Sequence, residues 1–485
     1  MGEDGWVGGG WRIDRNGAST RKSATMSKSC NKTACDEYRS LSRRGFLGVS
    51  AAAMAAAATA PAWLPRVSVA ASHSSAAQDV IVSLYLRGGA DALSIVSPYN
   101  EPWYRAARPL LALPMPGTTA NRPAELGSPA SSPTAPGGLV RFSLHSALRP
   151  LLRAYNNNHL LFVHSCGMSG SNKSHFDSQK YMELGRWADP FLVSGWLGRH
   201  LATAAPMSPS ALVRAVGIAD GLQRTLAGAP RTLPVGDLSS DPGVAPLLEN
   251  FTGYRLSGRT GSSARRLSTL GELYQAAQQA QMRAAAESTI NTMSLLNQIG
   301  ATGYAPADGV SYPSTPLGNA LRSTAALISA EVGVEAVAVD QGGWDTHLNQ
   351  GVASGTTPGE SFYDQCTTLA GALSAFYRDV IETRQKNVTV VIMSEFGRRV
   401  GENGSIGTDH GYGGMMMVMG RSVNGGRVLT NWAGIEEVDP PTEQDLAVTI
   451  DYRDVLAEVV QQRLGNSNLA AVFPGYTPVM RGVLL

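Results

Sequence analysis

The sequence predicts an α/β protein with a mostly parallel central sheet. Three near-continuous apolar runs, at 79–86, 334–339 and 388–393, have the length and residue types of buried strands. Such runs are typical of parallel sheets, whose strands are covered on both faces. Helical patterns alternate with strand patterns in the second half of the chain. This alternation predicts helices packed against the sheet.

The other elements and the domain organisation follow from the same patterns. A region rich in Pro, Gly, Ser and Thr at 113–140 predicts a long surface loop. The further predicted elements are a helix near 145–157, a strand at 159–164, a helix through Met182, helices at 317–330 and 360–384, a strand at 415–419 and a helix at 451–463. Between about 200 and 315 the alternation loosens around one helical pattern at 262–298. We therefore expect a single domain at 71–485 with a cap insertion at about 200–315.

Residues 1–70 have the features of a targeting segment with no part in the fold. Ser42-Arg-Arg-Gly-Phe-Leu47 matches a twin-arginine signal, and a weakly apolar, Ala-rich stretch leads to a small-residue cleavage site at Ser68-Val-Ala70. A buried or membrane helix is the alternative, which the prolines in this stretch disfavour. We expect export to the periplasm or the cell exterior, with the twin-arginine translocase as a partner. Residues 1–25 are Gly-rich and without pattern, which favours Met26 as the initiator.

Charge and cysteine content restrict the possible classes of function. The chain carries 40 Lys and Arg against 38 Asp and Glu, a net charge of +2. Because the targeting segment holds a surplus of basic residues, the remainder is near neutral, and we expect no nucleic-acid partner. No later stretch reaches the roughly 18–20 apolar residues of a membrane span. We expect Cys166 and Cys366 to be separate buried thiols, with one disulfide as the alternative.

Carboxylates and imidazoles follow the predicted strands at the point where each strand ends. Asp91 follows a Gly-Gly turn after the first strand, Asp345 and His347 follow the strand at 334–339, and Glu395 follows the next. Ligands bind at the carboxyl edge of α/β sheets, and oxygen and imidazole ligands suit Zn²⁺, Mn²⁺ or Mg²⁺. The pattern predicts a divalent-metal site. The alternative for 342–347 is a polar loop tip anchored by its tryptophan.

Two further segments add candidates to this site. Asp409 and His410 lie in a Gly-rich loop at 401–414, where they could act as ligand and orienting group. Arg398 or Arg399 could bind an anionic substrate group through bidentate hydrogen bonds, although Glu395 could instead pair with Arg398.

Ser174 is the candidate nucleophile, because it lies in a Gly/Ser/Asn loop at the start of a helix and a metal can activate its hydroxyl. The alternative is that Ser174 only caps this helix and that His175 is a polar residue of its first turn. His145 and His164 could line the same edge of the sheet, but we expect them to be cap or core histidines.

Together these motifs resemble a twin-arginine-exported bacterial family, domain of unknown function 1501. The resemblance covers 79–463 and rests on motifs in one order: Leu86-Arg-Gly-Gly-Ala-Asp91, Lys173-Ser-His-Phe-Asp177, Gly195-Trp-Leu-Gly-Arg199, Gly342-Gly-Trp-Asp-Thr-His347, Ser394-Glu-Phe-Gly-Arg398 and Gly407-Thr-Asp-His-Gly411. That family is similar to the alkaline phosphatase and sulfatase superfamily. The resemblance implies a three-layer α/β/α sandwich with two metals and a hydroxyl or formylglycine nucleophile.

The resemblance assigns individual roles, with one departure. It makes Asp91 the metal aspartate of the first strand, Ser174 the nucleophile and His410 the late metal histidine. Phe396 stands where the superfamily commonly has histidine. Phenylalanine cannot bind a metal. The metal site that would include residue 396 is therefore expected to have an altered ligand set, to hold only a single ion, or to be empty. The chain has no Cys-x-Pro-x-Arg motif, which disfavours a formylglycine mechanism.

We therefore expect an exported metal-dependent hydrolase of phosphate or sulfate esters, acting on a small-molecule or glycan ester. Its cofactor would be one or two divalent ions (Zn, Mn, Mg or Ca). The expected catalytic residues are Ser174 and Arg398, and the expected metal ligands are Asp91, Asp345, His347, Glu395, Asp409 and His410. The alternative is a non-catalytic cell-envelope binding protein with a degenerate metal or anion site, which Phe396 favours.

Replacement of both Arg43 and Arg44 by lysine should leave a full-length, folded precursor in the cytoplasm. Paired arginines are the recognition element of the signal, and neither residue belongs to the predicted fold. Fractionation followed by immunoblotting measures the distribution. Normal accumulation of the double variant outside the cytoplasm would contradict the assignment of the signal.

Overall fold

A computed structural model describes residues 79–170, 172–218, 221–235, 304–352 and 361–485. The predicted targeting segment and the predicted helix at 262–298 lie outside the described residues, as does most of the predicted cap. In the described part, no helix is both long enough and apolar enough to cross a membrane.

Two sheets are present in the described part of the chain. The strands are β1 (Val80–Leu86), β2 (Val96–Ser97), β3 (Ala124–Ser131), β4 (Leu139–Leu144), β5 (Leu160–Gly167), β6 (Ala215–Ile218), β7 (Thr232–Val235), β8 (Ala336–Gln341), β9 (Val388–Ser394), β10 (Gly414–Met419), β11 (Arg427–Leu429) and β12 (Ile450–Asp451). The large sheet has nine strands in the order β11-β5-β10-β9-β1-β8-β6-β7, with β12 also paired to β5. The small sheet has the order β2-β4-β3.

The described residues form nine α-helices, and the sequence predicted the four longest of them. They are α1 (Ala92–Ile95), α2 (Pro102–Ala107), α3 (Leu152–Asn156), α4 (His175–Leu184), α5 (Trp196–Thr203), α6 (Pro316–Ser329), α7 (Ser361–Phe376), α8 (Tyr452–Gln462) and α9 (Leu469–Val472). A 3₁₀ helix at Ser146–Leu151 precedes α3, and a π-helical stretch at Tyr377–Thr383 continues α7. The predicted helices at 317–330, 360–384 and 451–463 are confirmed to within about one residue.

The large sheet is mostly parallel, as predicted. β1 is parallel to both of its neighbours, β8 and β9, and the register places Leu86 beside Gln341 and Ser394. β10 is the antiparallel exception between β9 and β5. Because β10 runs in the opposite direction, the loop that precedes it reaches the edge where its neighbours end. The loops after β1, β5, β8 and β9 and before β10 therefore meet at one edge.

Apolar side chains of β1 are buried on both faces of the large sheet. Val80, Val82 and Leu84 belong to one core together with residues of α6 and α7. Ile81 and Tyr85 belong to a second core together with residues of α5 and α8. Successive residues of a strand point to opposite faces, so a strand with a core on each face shows no polar alternation. This explains why the run at 79–86 is nearly continuous.

The prediction of a long surface loop at 113–140 was wrong in part. β3 lies within it, and β3 pairs antiparallel with β4, which begins at Leu139. Residues of β3 are alternately buried and exposed from Ala124 to Gly127. Its Ser, Gly and Pro content has low strand propensity, but pairing with β4 determines its conformation. Cys166 and Cys366 are separate buried thiols, as expected.

Candidate metal centre

Five loops pack closely at the carboxyl edge of the large sheet. Gly88, in the loop after β1, donates its backbone N–H to Glu395 Oε1 at 2.8 Å. Its φ is +125°, and a Cβ there would lie 2.4 Å from the backbone nitrogen of Asp345. A Cβ on Gly411, which precedes β10, would lie 2.5 Å from the backbone of Arg398. Glycine at these motif positions lets the backbones approach each other.

Three imidazoles surround the carboxylate of Asp345 at this edge. Asp345 Oδ1 lies 3.3 Å from His347 Nε2 and 3.4 Å from His410 Nε2. Asp345 Oδ2 lies 3.4 Å from His175 Nε2. The two Nε2 atoms of His347 and His410 are themselves 2.9 Å apart. Thus α4, the loop after β8 and the loop before β10 each contribute a nitrogen to one cluster.

The other ring nitrogen of each histidine contacts an oxygen acceptor. His175 Nδ1 lies 2.8 Å from Glu395 Oε1, His347 Nδ1 lies 2.9 Å from Asp409 Oδ1, and His410 Nδ1 lies 2.8 Å from the backbone oxygen of Lys173. These oxygens accept, so each Nδ1 carries the proton in the neutral ring. In the neutral ring each Nε2 then has a lone pair directed into the cluster, whereas His175 carries a second proton, on Nε2, when it is charged.

This arrangement fits a bound cation. The lone pairs of His347 and His410 face each other at 2.9 Å, which is unfavourable unless a proton or a metal ion lies between them. Ligands about 2.0–2.2 Å from a tetrahedral ion lie roughly 3.3–3.6 Å from one another, which matches the separations of these two nitrogens from Asp345 Oδ1. His175, Asp345 and His410 also offer ligand atoms within 4.8 Å of one another. Metal-bound histidines typically donate their other N–H to a carboxylate or carbonyl.

The charges in the cluster shift the pKa values of its members. Burial alone would raise the pKa of Asp345, but its contacts with His175, His410 and Arg398 and the charge of Arg398 hold it well below its usual range. Burial lowers the pKa of His410. Burial also lowers the pKa of His175, but hydrogen bonds and charges from Asp345 and Glu395 outweigh it and raise that pKa to about 9.

Glu395 and Asp409 contact imidazole nitrogens and not the centre of the cluster. Glu395 is fully buried, and its Oε1 accepts from His175, from Gln179 at 2.8 Å and from the backbone N–H of Gly88. Asp409 Oδ1 accepts from His347 and from Asn403 at 3.1 Å. Both carboxylates were expected to bind the metal. In this geometry they orient histidines.

Arg398 does not present its guanidinium group to a substrate. Its side chain is buried and donates to the backbone oxygens of Gly89 at 2.7 Å, Thr408 at 2.7 Å and Trp344 at 3.2 Å, and also to that of Gly88. It also donates to Asp345 Oδ1 at 2.7 Å. The expectation that Arg398 is catalytic is not supported by this geometry, which makes it a positioning residue for Asp345.

The structure does not bring Asp91 into the cluster. Its carboxylate is fully buried and accepts two hydrogen bonds from Arg108, at 2.6 and 3.0 Å, and one from Gln350 at 2.9 Å. Ser94 Oγ also donates to it. Burial alone would raise the pKa of Asp91, but Arg108 holds it below the usual value. The expected metal role of Asp91 therefore has no support in the geometry, which is that of a structural ion pair.

His175 is the ligand candidate that sequence reasoning missed. It was considered only beside the candidate nucleophile, with a polar residue of the first helical turn as the alternative, and it is the first residue of α4. The available signal was its position in Lys173-Ser-His-Phe-Asp177, directly after the candidate nucleophile. Ser174 is the N-cap residue of α4, but its side chain makes no capping hydrogen bond. The simple capping role is therefore not observed for Ser174.

His145 and His164 are structural, as expected. His145 Nδ1 accepts from the backbone N–H of Ala147 at 3.1 Å and caps the 3₁₀ helix. His164 Nε2 lies 3.0 Å from the backbone oxygen of Val96, and burial lowers its pKa to about 4.

The fold and the cluster thus define an α/β protein with a candidate metal centre at the carboxyl edge of its sheet. Residues 186–459, more than half of the chain, match a family model described as "Protein of unknown function (DUF1501)". The chain belongs to this family, which confirms that part of the resemblance. The matched span contains Asp345, His347 and His410, whereas His175 precedes it. A search of curated proteins finds no match.

Asp91→Ala should reduce the free energy of unfolding by about 3–5 kcal/mol, because it leaves Arg108 buried without its charged partner. Chemical denaturation measures this loss. The folded fraction should keep the metal content of the wild type, whereas His410→Ala should lose bound metal with a smaller loss of stability. An Asp91→Ala protein of normal stability that has lost its metal would contradict the structural role.

Proposed function

We propose that this chain is a metal-dependent hydrolase of phosphate or sulfate esters, exported by the twin-arginine route. One observation carries the proposal: three imidazoles surround one carboxylate, and each imidazole has its other nitrogen on an oxygen acceptor. Within this cluster, the Nε2 atoms of His347 and His410 lie 2.9 Å apart, and a bound cation would relieve the repulsion between their lone pairs. Three nitrogens and one carboxylate favour zinc or another transition ion over Mg²⁺ or Ca²⁺, which prefer oxygen ligands.

A single ion fits this site better than the pair expected from the resemblance. The oxygens of Glu395 already accept from Gly88, His175, Gln179 and Ser394. The ring of Phe396 is buried, with its centroid 5.0 Å from that of His175 and 4.6 Å from that of His410. Phe396 fills the space beside the imidazoles without offering a ligand. We therefore propose one ion, held by Asp345, His347, His410 and His175.

A bound divalent ion at this site would supply the charge that lowers the pKa of a hydroxyl and stabilises a transferred anionic group. The chain itself supplies the nucleophile. Ser174 directly precedes His175 and lies at the N-terminus of α4, where backbone N–H groups and the helix dipole favour an anion. Ser174 Oγ would bond to phosphorus or sulfur as the alcohol leaves with a proton. Water would then release the acid and restore Ser174.

We also propose a fold type for the chain and a second candidate for its function. Cores on both faces of the large sheet support an alkaline-phosphatase-like α/β/α sandwich. The second candidate is a binding protein of the cell envelope that keeps the metal site without turnover, and the buried position of Phe396 favours it. Turnover separates the two candidates, because both bind metal.

Ser174→Ala should abolish hydrolysis of an aryl phosphate or aryl sulfate, because it removes the nucleophile. Metal content and melting temperature should stay near those of the wild type, since the residue makes no capping hydrogen bond. Release of the phenol at fixed metal loading measures turnover. Ser323→Ala serves as a control, because Ser323 Oγ donates to the Asn319 backbone oxygen at 2.9 Å within α6, a helix that contributes no residue to the cluster.

Two results would contradict this proposal in different ways. Full turnover by Ser174→Ala would exclude the serine nucleophile and favour water held at the metal. A wild-type protein that binds metal but hydrolyses neither ester would favour the binding protein.

A further inference from the structure

Lys173 has an unusual backbone conformation beside the candidate metal centre. Its φ is +60°, in the left-handed region of backbone conformations that residues other than glycine rarely adopt. This conformation is unfavourable for an L-residue because its Cβ approaches the following carbonyl oxygen. Its backbone oxygen accepts from His410 Nδ1 at 2.8 Å. The conformation thus coincides with the placement of an acceptor for a proposed metal ligand.

The side chain of Lys173 is held by two neighbours. Its Nζ donates to both carboxylate oxygens of Asp445, at 2.9 and 2.8 Å. The same Nζ lies 4.3 Å from the centroid of the Tyr412 ring. The ion pair is largely buried, with about a fifth of each side chain exposed, at 19% and 23%. Tyr412 follows His410 by two residues, so these contacts join Lys173 to the loop that carries this histidine.

His410 differs from the other two histidines in how it is oriented. His175 and His347 contact carboxylates, whose charge attracts an imidazole N–H directly. His410 contacts a neutral backbone carbonyl. A carbonyl attracts the N–H less strongly than a carboxylate, so its placement has to be maintained by the segment around it. The side-chain contacts of Lys173 provide that support.

We propose that Lys173 is a positioning residue for the metal ligand His410, and that its ion pair with Asp445 sets the metal affinity of the centre. This inference rests on the proposed metal site. The Lys173–Asp445 pair holds the backbone carbonyl of Lys173 against His410 Nδ1. That contact keeps the proton on Nδ1 and leaves the Nε2 lone pair for the ion. A residue that orients a metal ligand in this way typically contributes about 10–100-fold to affinity.

The test compares variants of the ion pair in the purified protein. Lys173→Met and Asp445→Asn should each weaken Zn²⁺ and Co²⁺ binding by about 10–100-fold and change the visible spectrum of the Co²⁺ form. Lys173→Arg, which can keep the ion pair, should restore most of the affinity. Lys386→Met is the matched control, because Lys386 pairs with Glu331 at 2.6 Å in a comparable, more exposed ion pair of a different region. It should leave the affinity unchanged.

A second measurement on the metal-free protein reports the position of His410 directly. ¹⁵N NMR of labelled histidine distinguishes a ring protonated on Nδ1 from one protonated on Nε2. The wild type should show His410 protonated on Nδ1, and both ion-pair variants should shift that ring towards a mixture. A purely structural ion pair would lower the melting temperature in these variants without changing either readout.

The outcomes separate this inference from the proposed function. Unchanged affinity together with unchanged His410 signals in both variants would overturn the positioning role, even in an active hydrolase. If the wild type binds no metal, the proposed function and the claim about affinity both fail. The NMR shift would then decide whether Lys173 positions His410. Reduced affinity with a shifted His410 signal, restored by Lys173→Arg, is the expected result.

Discussion

The candidate metal centre depends on the buried side chain of Arg398. Its guanidinium group donates to backbone oxygens at 88–89, at Trp344 and at Thr408, and so contacts three loops that follow or precede different strands. The same group binds Asp345 Oδ1 at 2.7 Å. A guanidinium group has five donors in one plane and keeps its charge in proteins. It can therefore hold three backbone segments and one ligand carboxylate together, which the three donors of a lysine could not do with the same geometry.

Much of the fold could be predicted from the sequence because burial on both faces of the sheet leaves an uninterrupted apolar run. β1, β8 and β9 lie where such runs occur. β3 could not be predicted in this way. Its stability comes from pairing with β4, and a pairing partner leaves no signal in local composition. The antiparallel direction of β10 could not be predicted either, because a buried strand has the same apolar pattern in either direction.

Only those residues of the site that lie close to an end of a predicted strand could be predicted from the sequence. Asp345 and His347 follow an apolar run directly, so their place at the sheet edge could be inferred. Asp91 also follows an apolar run, but its carboxylate forms an ion pair with a buried arginine 17 positions away. The residues around Asp91 in the sequence do not indicate that pairing. His175 lies on a helix, and its imidazole reaches the cluster only because α4 begins beside the loop after β9. Strand ends therefore identified some members of the cluster and missed a contact made through a helix.

The orienting groups of the three histidines come from separate loops, which has a consequence for folding. Glu395 follows β9, Asp409 precedes β10, and the Lys173 carbonyl precedes α4. These elements come together only after the sheet has formed, so an unfolded chain would not present the three imidazoles and the carboxylate of Asp345 together. Metal binding and folding should then be coupled. A centre of this kind suits the proposed twin-arginine route, because that route carries folded proteins and lets the chain acquire its metal before export.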